Sequence, residues 1–247
     1  DIVNFLINSP LYMLMKPIAR QTLINTAEEN GIPWKDRKAS LEAQQGTLDN
    51  NMKIIESVQM SYPDYYTKPF HAYDEGNLCW DAAYECESAT MSMALRVWPK
   101  EDLTALEAQQ RLRYSFLDAV KEYLGEVCSS PTLRIIDVGC SVGVSTHYMA
   151  DAFPSASITG YDLSPHFLSV AMKRQNDEAS GKYDRIMWRH GNIEQPPTEW
   201  TEESGEKFDL TAASFMFHEL PAKPTERILA QMVNITKRGG VIAITDN

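Results

Sequence analysis

Two rhythms of hydrophobic and polar positions divide the chain. Through the first 130 residues apolar side chains recur at helical spacing; Leu112, Phe116, Val120 and Leu124 fall every four residues and share one helix face. An earlier stripe of Leu11, Leu14, Met15 and Ile18 predicts a helix from about Leu11 to Glu29, closed by Asn30-Gly31 with Pro33 beyond. The stripe reads as core packing or, with Lys16 and Arg20 beside it, as a membrane-surface or hydrophobic-substrate contact. A helix beginning near Glu101 should end before Pro131, because the residue preceding a proline is pushed out of the helical region. Ser129-Ser130-Pro131 is the expected boundary between a helical cap and lid region, 1–130, and a second unit, 131–247. Beyond it short β-branched runs alternate with helical stretches: Leu133–Val138, Ser157–Tyr161, Arg185–Arg189, Phe208–Ala213 and Val241–Thr245. That alternation predicts an α/β fold, a parallel sheet covered by helices.

The first strand runs into Asp137-Val138-Gly139-Cys140-Ser141-Val142-Gly143, and a helix follows from Val144 to Phe153. Gly139 and Gly143 allow a tight turn and close approach to a ligand, and the unpaired N–H groups of the helix favour a carboxylate. No Gly-Lys-Ser/Thr follows, which excludes a nucleotide P-loop, and the dinucleotide pattern Gly-x-Gly-x-x-Gly is absent. Asp137, two positions before the first glycine, suits a ligand carrying both an ammonium and a carboxylate, such as the amino-acid end of S-adenosylmethionine. The second strand ends in Gly160-Tyr161-Asp162-Leu163-Ser164, where Asp162 is placed to accept from both ribose hydroxyls.

On these motifs residues 133–247 resemble the class I S-adenosylmethionine-dependent methyltransferases, particularly the ubiquinone/menaquinone group and related small-molecule enzymes. Gly191-Asn192-Ile193-Glu194 resembles the family's Gly-Asp/Asn-hydrophobic-Glu after the third strand, with the less common Asn192 set to bond the adenine. Phe208-Asp209-Leu210, leading through Ser214 to Phe215-Met216-Phe217-His218-Glu219-Leu220-Pro221, and Arg238-Gly239-Gly240 before the fifth strand complete the order. The resemblance implies a Rossmann-like sheet and S-adenosyl-L-methionine held by Asp137, Gly139, Cys140, Ser141, Gly143, Asp162, Leu163, Asn192, Ile193 and Ser214. The first half resembles plant and cyanobacterial methyltransferase-like proteins, through Asn30-Gly31-Ile32-Pro33-Trp34 and the stretch from Lys68 to Trp80. From this comes the expectation of a chloroplast location, with the cytoplasm as alternative. The Lys68–Trp80 loop, with His71, Tyr73 and Trp80 and leading to Tyr84, reads either as a lid over cofactor and acceptor or as aromatics packed beneath a loop.

Methyl transfer is an in-line displacement that requires donor and acceptor held together in a dry pocket. His218, following the fourth strand, is the candidate catalytic residue, to orient or deprotonate a small acceptor, aromatic or prenylated; capping the next segment is its alternative role. His147 and His166 read as surface or packing residues, His190 as backing for the adenine pocket, and Tyr161 as packing. A non-catalytic methyltransferase-like scaffold in a larger assembly is the rival reading. A nicotinamide oxidoreductase is disfavoured by the missing third glycine.

Composition narrows the partners. The 247 residues include 23 Lys and Arg against 34 Asp and Glu, a net charge of −11 with no basic cluster, which excludes a nucleic-acid partner. Ile2 to Met15 carry no charge but are too short and too polar to span a bilayer, so only peripheral membrane contact is open. A hydrophobic content of 43% predicts a soluble globular protein, and Cys79, Cys86, Cys128 and Cys140, with no Cys-x-x-Cys pair and no nearby histidines at zinc-finger spacing, point to a reducing compartment and to no metal. Because the chain begins at Asp1, an upstream segment, such as a targeting peptide, is expected to have preceded it. The chain also stops directly after the fifth strand, whereas the family continues through a helix and two more strands. The expectation is that the Val241–Thr245 edge is covered by missing C-terminal residues or by a protein partner.

Overall fold

The computed structural model describes residues 10–57, 60–70, 73–130, 132–203 and 205–246. Five helices come first: α1 (Pro10–Glu29), α2 (Trp34–Glu42), α3 (Gln45–Ile55), α4 (Trp80–Val97) and α5 (Ala105–Leu124). The predicted stop after Glu29 forms as expected. Gly31 takes φ 75°, and the N–H groups of Gly31 and Ile32 bond back to the carbonyls of Glu28 and Ala27 at 3.0 Å each, which satisfies the last turn of α1. Ile18 of the apolar stripe is 66% exposed, while the side chains of Leu11, Leu14 and Met15 lie outside the described residues. Thr104 and Glu107 cap α5 reciprocally: the Thr104 hydroxyl accepts from the Glu107 N–H at 3.2 Å, and the Glu107 carboxylate accepts from the Thr104 N–H at 2.9 Å. The helix stops at Gly125, φ 55°, well before Pro131, which is itself outside the described residues.

Strands and helices then alternate: β1 (Arg134–Val138), α6 (Val144–Ala152), β2 (Ser157–Asp162), α7 (Pro165–Asp177), β3 (Ile186–His190), the one-turn α8 (Thr198–Thr201), β4 (Phe208–Ser214), α9 (Ala222–Ile235) and β5 (Thr236–Thr245). All pairings are parallel in the order β3-β2-β1-β4-β5, the Rossmann-like α/β arrangement that the alternation of strands and helices predicts. Near-continuous apolar runs are what such strands require, because helices bury both faces. One face packs Ile135, Ile158, Leu210 and Ala243 against Leu117, Val120 and Leu124 of α5 and Met149 and Phe153 beside α6. The opposite face sets Ile136, Val138 and Ala213 against Ile228, Met232 and Ile235 of α9. Thus α5, on the N-terminal side of the expected boundary, packs into the core of the sheet.

The fifth strand is longer than its apolar run. It begins at Thr236, opposite Phe208, and the Arg238-Gly239-Gly240 turn is absorbed as an irregularity before Val241 pairs with Leu210. Gly239, at φ 78°, supplies the backbone conformation that the irregularity needs. Lys237 Nζ, 2.8 and 2.9 Å from the two Asp209 carboxylate oxygens, anchors it.

Helices α3 and α4 cover the other end of the sheet. Leu48, Ala82, Ala83 and Tyr84 share a core with Val142 and Val144 of the glycine loop and Phe167 and Val170 of α7. Asn51 Nδ2 donates to the Ser169 carbonyl at 3.1 Å within that contact, so the cap is keyed to the sheet by a buried hydrogen bond as well as by apolar area.

Candidate active site

Strand order fixes where a ligand can lie. The chain moves outward from β1 to β2 and β3, then crosses back to β4 and β5, so the loops after β1 and β4 leave in opposite directions and open a crevice at the strand ends. A cavity of about 450 Å³ occupies it, a size ordinary for a small-molecule site. Its lining includes Gly139, Cys140, Ser141, Asp162, Leu163, Ile193, Ser214 and His218 of the sequence-predicted set. Asp137, Gly143 and Asn192 stand just outside the lining.

Gly139 at φ 69° and Gly143 at φ 78° occupy the left-handed region. A Cβ on Gly143 would come within 2.6 Å of the Trp188 ring, so this glycine is needed for packing against β3 as well as for the turn into α6. Between them Ser141 holds φ 51° although it carries a side chain, and Phe215 does the same at φ 56°. Among the described residues these are the two non-glycine residues in that region, and both line the cavity. Strained backbone of this kind gathers where a site demands one geometry.

Asp162 is 7% exposed, and each of its oxygens accepts a backbone N–H at 2.8 Å, from Ser141 and from Ser164. Burial pushes its carboxyl up to about 6, against the lowering effect of those two N–H groups. A carboxylate has about four acceptor positions, so both oxygens retain capacity for ligand hydroxyls. Asp137, fully buried, accepts from the Ser145 and Thr146 hydroxyls at 2.6 Å each through Oδ2, and its Oδ1 has no partner. Burial raises its pKa, opposed by those hydroxyls and by Arg113. The Ser214 hydroxyl is likewise buried without a partner. Asn192 Oδ1 accepts from the Glu194 N–H at 2.9 Å, closing its own turn, and leaves its amide nitrogen unused.

His218 stands on a short 3₁₀ turn after β4 and lines the cavity. Its Nδ1 lies 2.6 Å from Asp246 Oδ1. Asp246 Oδ2 also accepts from the backbone N–H groups of Phe217 and His218, at 2.7 and 3.1 Å. A carboxylate only accepts, so Nδ1 carries the proton and Nε2 is the basic nitrogen. Sequence reading found His218 and missed Asp246; the available signal was an acidic residue just past the fifth strand. It also missed Arg113, a cation on the buried face of α5 that lines the cavity.

The remaining histidines have structural partners. His147 is buried and donates Nδ1–H to the Gly143 carbonyl at 2.7 Å, and burial lowers its pKa to about 4. His166 lies 4.8 Å edge-on to Trp80, and burial likewise lowers its pKa to about 4. His190 Nδ1 accepts from the Ser57 N–H at 2.9 Å, so its Nε2–H donates to the Leu163 carbonyl at 2.9 Å; the ring ties the cap to the end of β2. Of the aromatic loop, Lys68, Phe70, Tyr73 and Asn77 line the cavity, whereas Trp80 stacks on Tyr84 outside it. His71 lies outside the described residues. The Asn77 carbonyl accepts from Ser164 Oγ at 2.7 Å, its amide reaches Glu219 at 3.4 Å, and Tyr73 OH donates to the buried Glu85.

Residues 136–242 match the methyltransferase-domain family. That segment carries the glycine cradle and nearly all of the parallel sheet. The chain is 35% identical over 114 residues to an uncharacterized protein of a Synechococcus species, covering 45% of this chain and 24% of that protein. It is 30% identical over 114 residues to trans-aconitate 2-methyltransferase of Deinococcus radiodurans, covering 46% and 38%. Both relatives are matched over less than two-thirds of their own length. Among solved structures, phosphoethanolamine N-methyltransferase 2 of Haemonchus contortus, bound to S-adenosylhomocysteine and phosphomonomethylethanolamine, aligns with TM-score 0.44 at 20% identity, over 55% of this chain and 28% of that one. No described helix is long and apolar enough to cross a membrane.

Proposed function

We propose that this protein is an S-adenosylmethionine-dependent methyltransferase, with residues 131–247 binding the cofactor and 1–130 covering a small-molecule acceptor. The observation that carries the reading is one cavity whose lining joins Asp162, the glycine loop and His218, the histidine held in turn by Asp246. The residues fit the cofactor: Asp162 offers acceptors for the ribose, and the unpartnered Asp137 Oδ1 offers one for the ammonium. Ile193 gives an apolar wall for the adenine, with Leu163 and Asn192 at the same end. When bound, the cofactor supplies a methyl group on a sulfonium, an electrophile that needs no metal. Tyr65, Tyr66, Phe70, Tyr73 and Phe215 give the cavity an aromatic lining, which supports an aromatic or prenylated acceptor. His218, its Nδ1–H held by Asp246, orients the acceptor and takes its proton through Nε2.

The three cysteines seen as free thiols, Cys79, Cys86 and Cys140, support a reducing compartment. The chloroplast location remains part of this proposal on the resemblance alone. So does a protein partner at the β5 edge, where Ile242 and Ile244 are 37% and 41% exposed. Calorimetric titration with S-adenosylmethionine, S-adenosylhomocysteine and nicotinamide cofactors tests the central reading. Micromolar binding of both adenosyl ligands alone is expected; binding of a nicotinamide cofactor alone, or of none, defeats it. Metabolite profiling with methyl-labelled donor then separates an enzyme from a scaffold.

A further inference from the structure

Arg113 is the charged group that the proposed chemistry leaves unused. It sits on the inner face of α5, 6% exposed, in line with Gln109, Leu117, Val120 and Leu124. Its Nε and Nη1 are buried without a hydrogen-bond partner, although the side chain lines the cavity. The guanidinium carbon lies 5.1 Å from the centre of the Phe215 ring, which a strained backbone holds against it. No ion pair forms among the described residues. Asp137 is its chief opposing charge, and burial still lowers the Arg113 pKa against the pull of that carboxylate. A cation that gives up its hydration shell and gains no hydrogen-bonded anion is costly in a folded chain. Such a cost persists where a ligand supplies the missing anion.

Arg113 in the lining and Asp137 buried behind it are together complementary to a zwitterion. Asp137 Oδ1 lacks a donor, and Arg113 Nε and Nη1 lack an acceptor. They lie close enough to feel each other's charge without bonding directly. We propose that Arg113 is the binding residue for the α-carboxylate of the cofactor's amino-acid end, opposite Asp137 at the ammonium. The inference rests on the S-adenosylmethionine reading and deepens it, because it assigns recognition of the amino-acid end to a cap-side helix rather than to the glycine loop alone. A guanidinium fork suits the task, since it presents parallel donors to a carboxylate and stays charged when buried.

The experiment is calorimetric binding to wild type, Arg113→Met and Arg113→Lys with two probes, S-adenosylhomocysteine and 5′-methylthioadenosine. The second keeps the nucleoside and thioether but has no carboxylate. Arg113→Met is expected to weaken S-adenosylhomocysteine by about 10- to 100-fold and to leave methylthioadenosine within about twofold, with Arg113→Lys intermediate. Removing an unpaired buried charge should leave the fold intact or raise its melting temperature. Unchanged S-adenosylhomocysteine affinity in a folded variant overturns the assignment, as does an equal loss for both probes, which marks a structural role. Should the variants not fold, wild type is titrated with decarboxylated S-adenosylhomocysteine. A comparable loss supports Arg113 as the anchor, and undiminished binding overturns it. If wild type binds neither adenosyl probe, the cofactor reading itself fails and this inference with it, an outcome distinct from a selective effect of the variants.

Discussion

Asp162 has two tasks on the proposed reading, since its oxygens hold the glycine loop through Ser141 and the start of α7 through Ser164 and also receive the ribose. Asp162→Ala is expected to weaken S-adenosylhomocysteine about 10- to 100-fold, the loss of charge-assisted bonds, with the variant still folded by circular dichroism. Its carboxyl, pushed up to about 6 by burial, adds a pH signature. The folded pKa lies above the unfolded value, so the native state binds the extra proton between about 4 and 6, and ionisation costs stability as pH rises through that window. Ribose hydroxyls donate to the ionised form and draw its pKa down. Cofactor affinity should therefore fall as pH drops below about 6, and at pH 5.5 binding should release a proton, read from binding enthalpies in buffers of different ionisation enthalpy. His218→Ala should lower turnover roughly 10²–10⁴-fold with cofactor affinity nearly intact, and Asp246→Asn should lower turnover in the same sense by unsettling the ring tautomer. Retained turnover in the folded His218 variant would reassign the histidine to capping. The glycines, Asp137, Asp162 and His218 were legible because each sits at a fixed offset from a strand end. Arg113 and Asp246 were not, because one reaches the cavity from a helix of the cap region and the other meets His218 across the gap between β4 and β5. Still, a cation interrupting the Gln109–Leu124 face of α5 was a mark in the sequence.

At the level of elements, the alternation of apolar runs placed all five strands to within a few residues, and β5 shows what escaped it. Its first half is Thr236-Lys237-Arg238-Gly239-Gly240, polar and glycine-rich; it pairs at Thr236 and then bulges up to Val241, where Lys237 is held by Asp209 and Gly239 accepts a positive φ. Both are tertiary conditions that a window of sequence does not contain. Helix α5 illustrates the reverse, since its start is written locally as Thr104-x-x-Glu107. Thr104→Ala removes the hydroxyl that accepts from the Glu107 N–H, and a loss of about 1 kcal/mol in urea-unfolding stability is expected, with an unchanged m-value. Because α5 also carries Arg113, fraying confined to its first turn should leave cofactor affinity near that of wild type.

For the molecule as a whole, the cap and the sheet are joined at several separated points: Asn51 to Ser169, Ser57 to His190, Tyr65 to Glu194 at 2.6 Å, and Ser164 to Asn77. Among the described residues β5 has one paired neighbour, β4, and a half-exposed face of Ile242 and Ile244. Unsatisfied edges of this kind pair with other strands. This 247-residue chain is expected to self-associate in light scattering, and Ile244→Lys should reduce that association without altering cofactor affinity. A monodisperse monomer at high concentration would remove the edge from consideration. The Asn77 contacts carry a separate consequence. One residue of the aromatic loop bonds Ser164 beside the ribose end and Glu219 beside His218, so it bridges the mouth of the crevice from β2 to β4. On the proposed reading the nucleoside lies beneath that bridge and the acceptor beside it. The methylated product is then expected to leave before the spent nucleoside, so that in steady-state kinetics the spent donor competes with the fresh one and their ratio in the surrounding solution sets the pace.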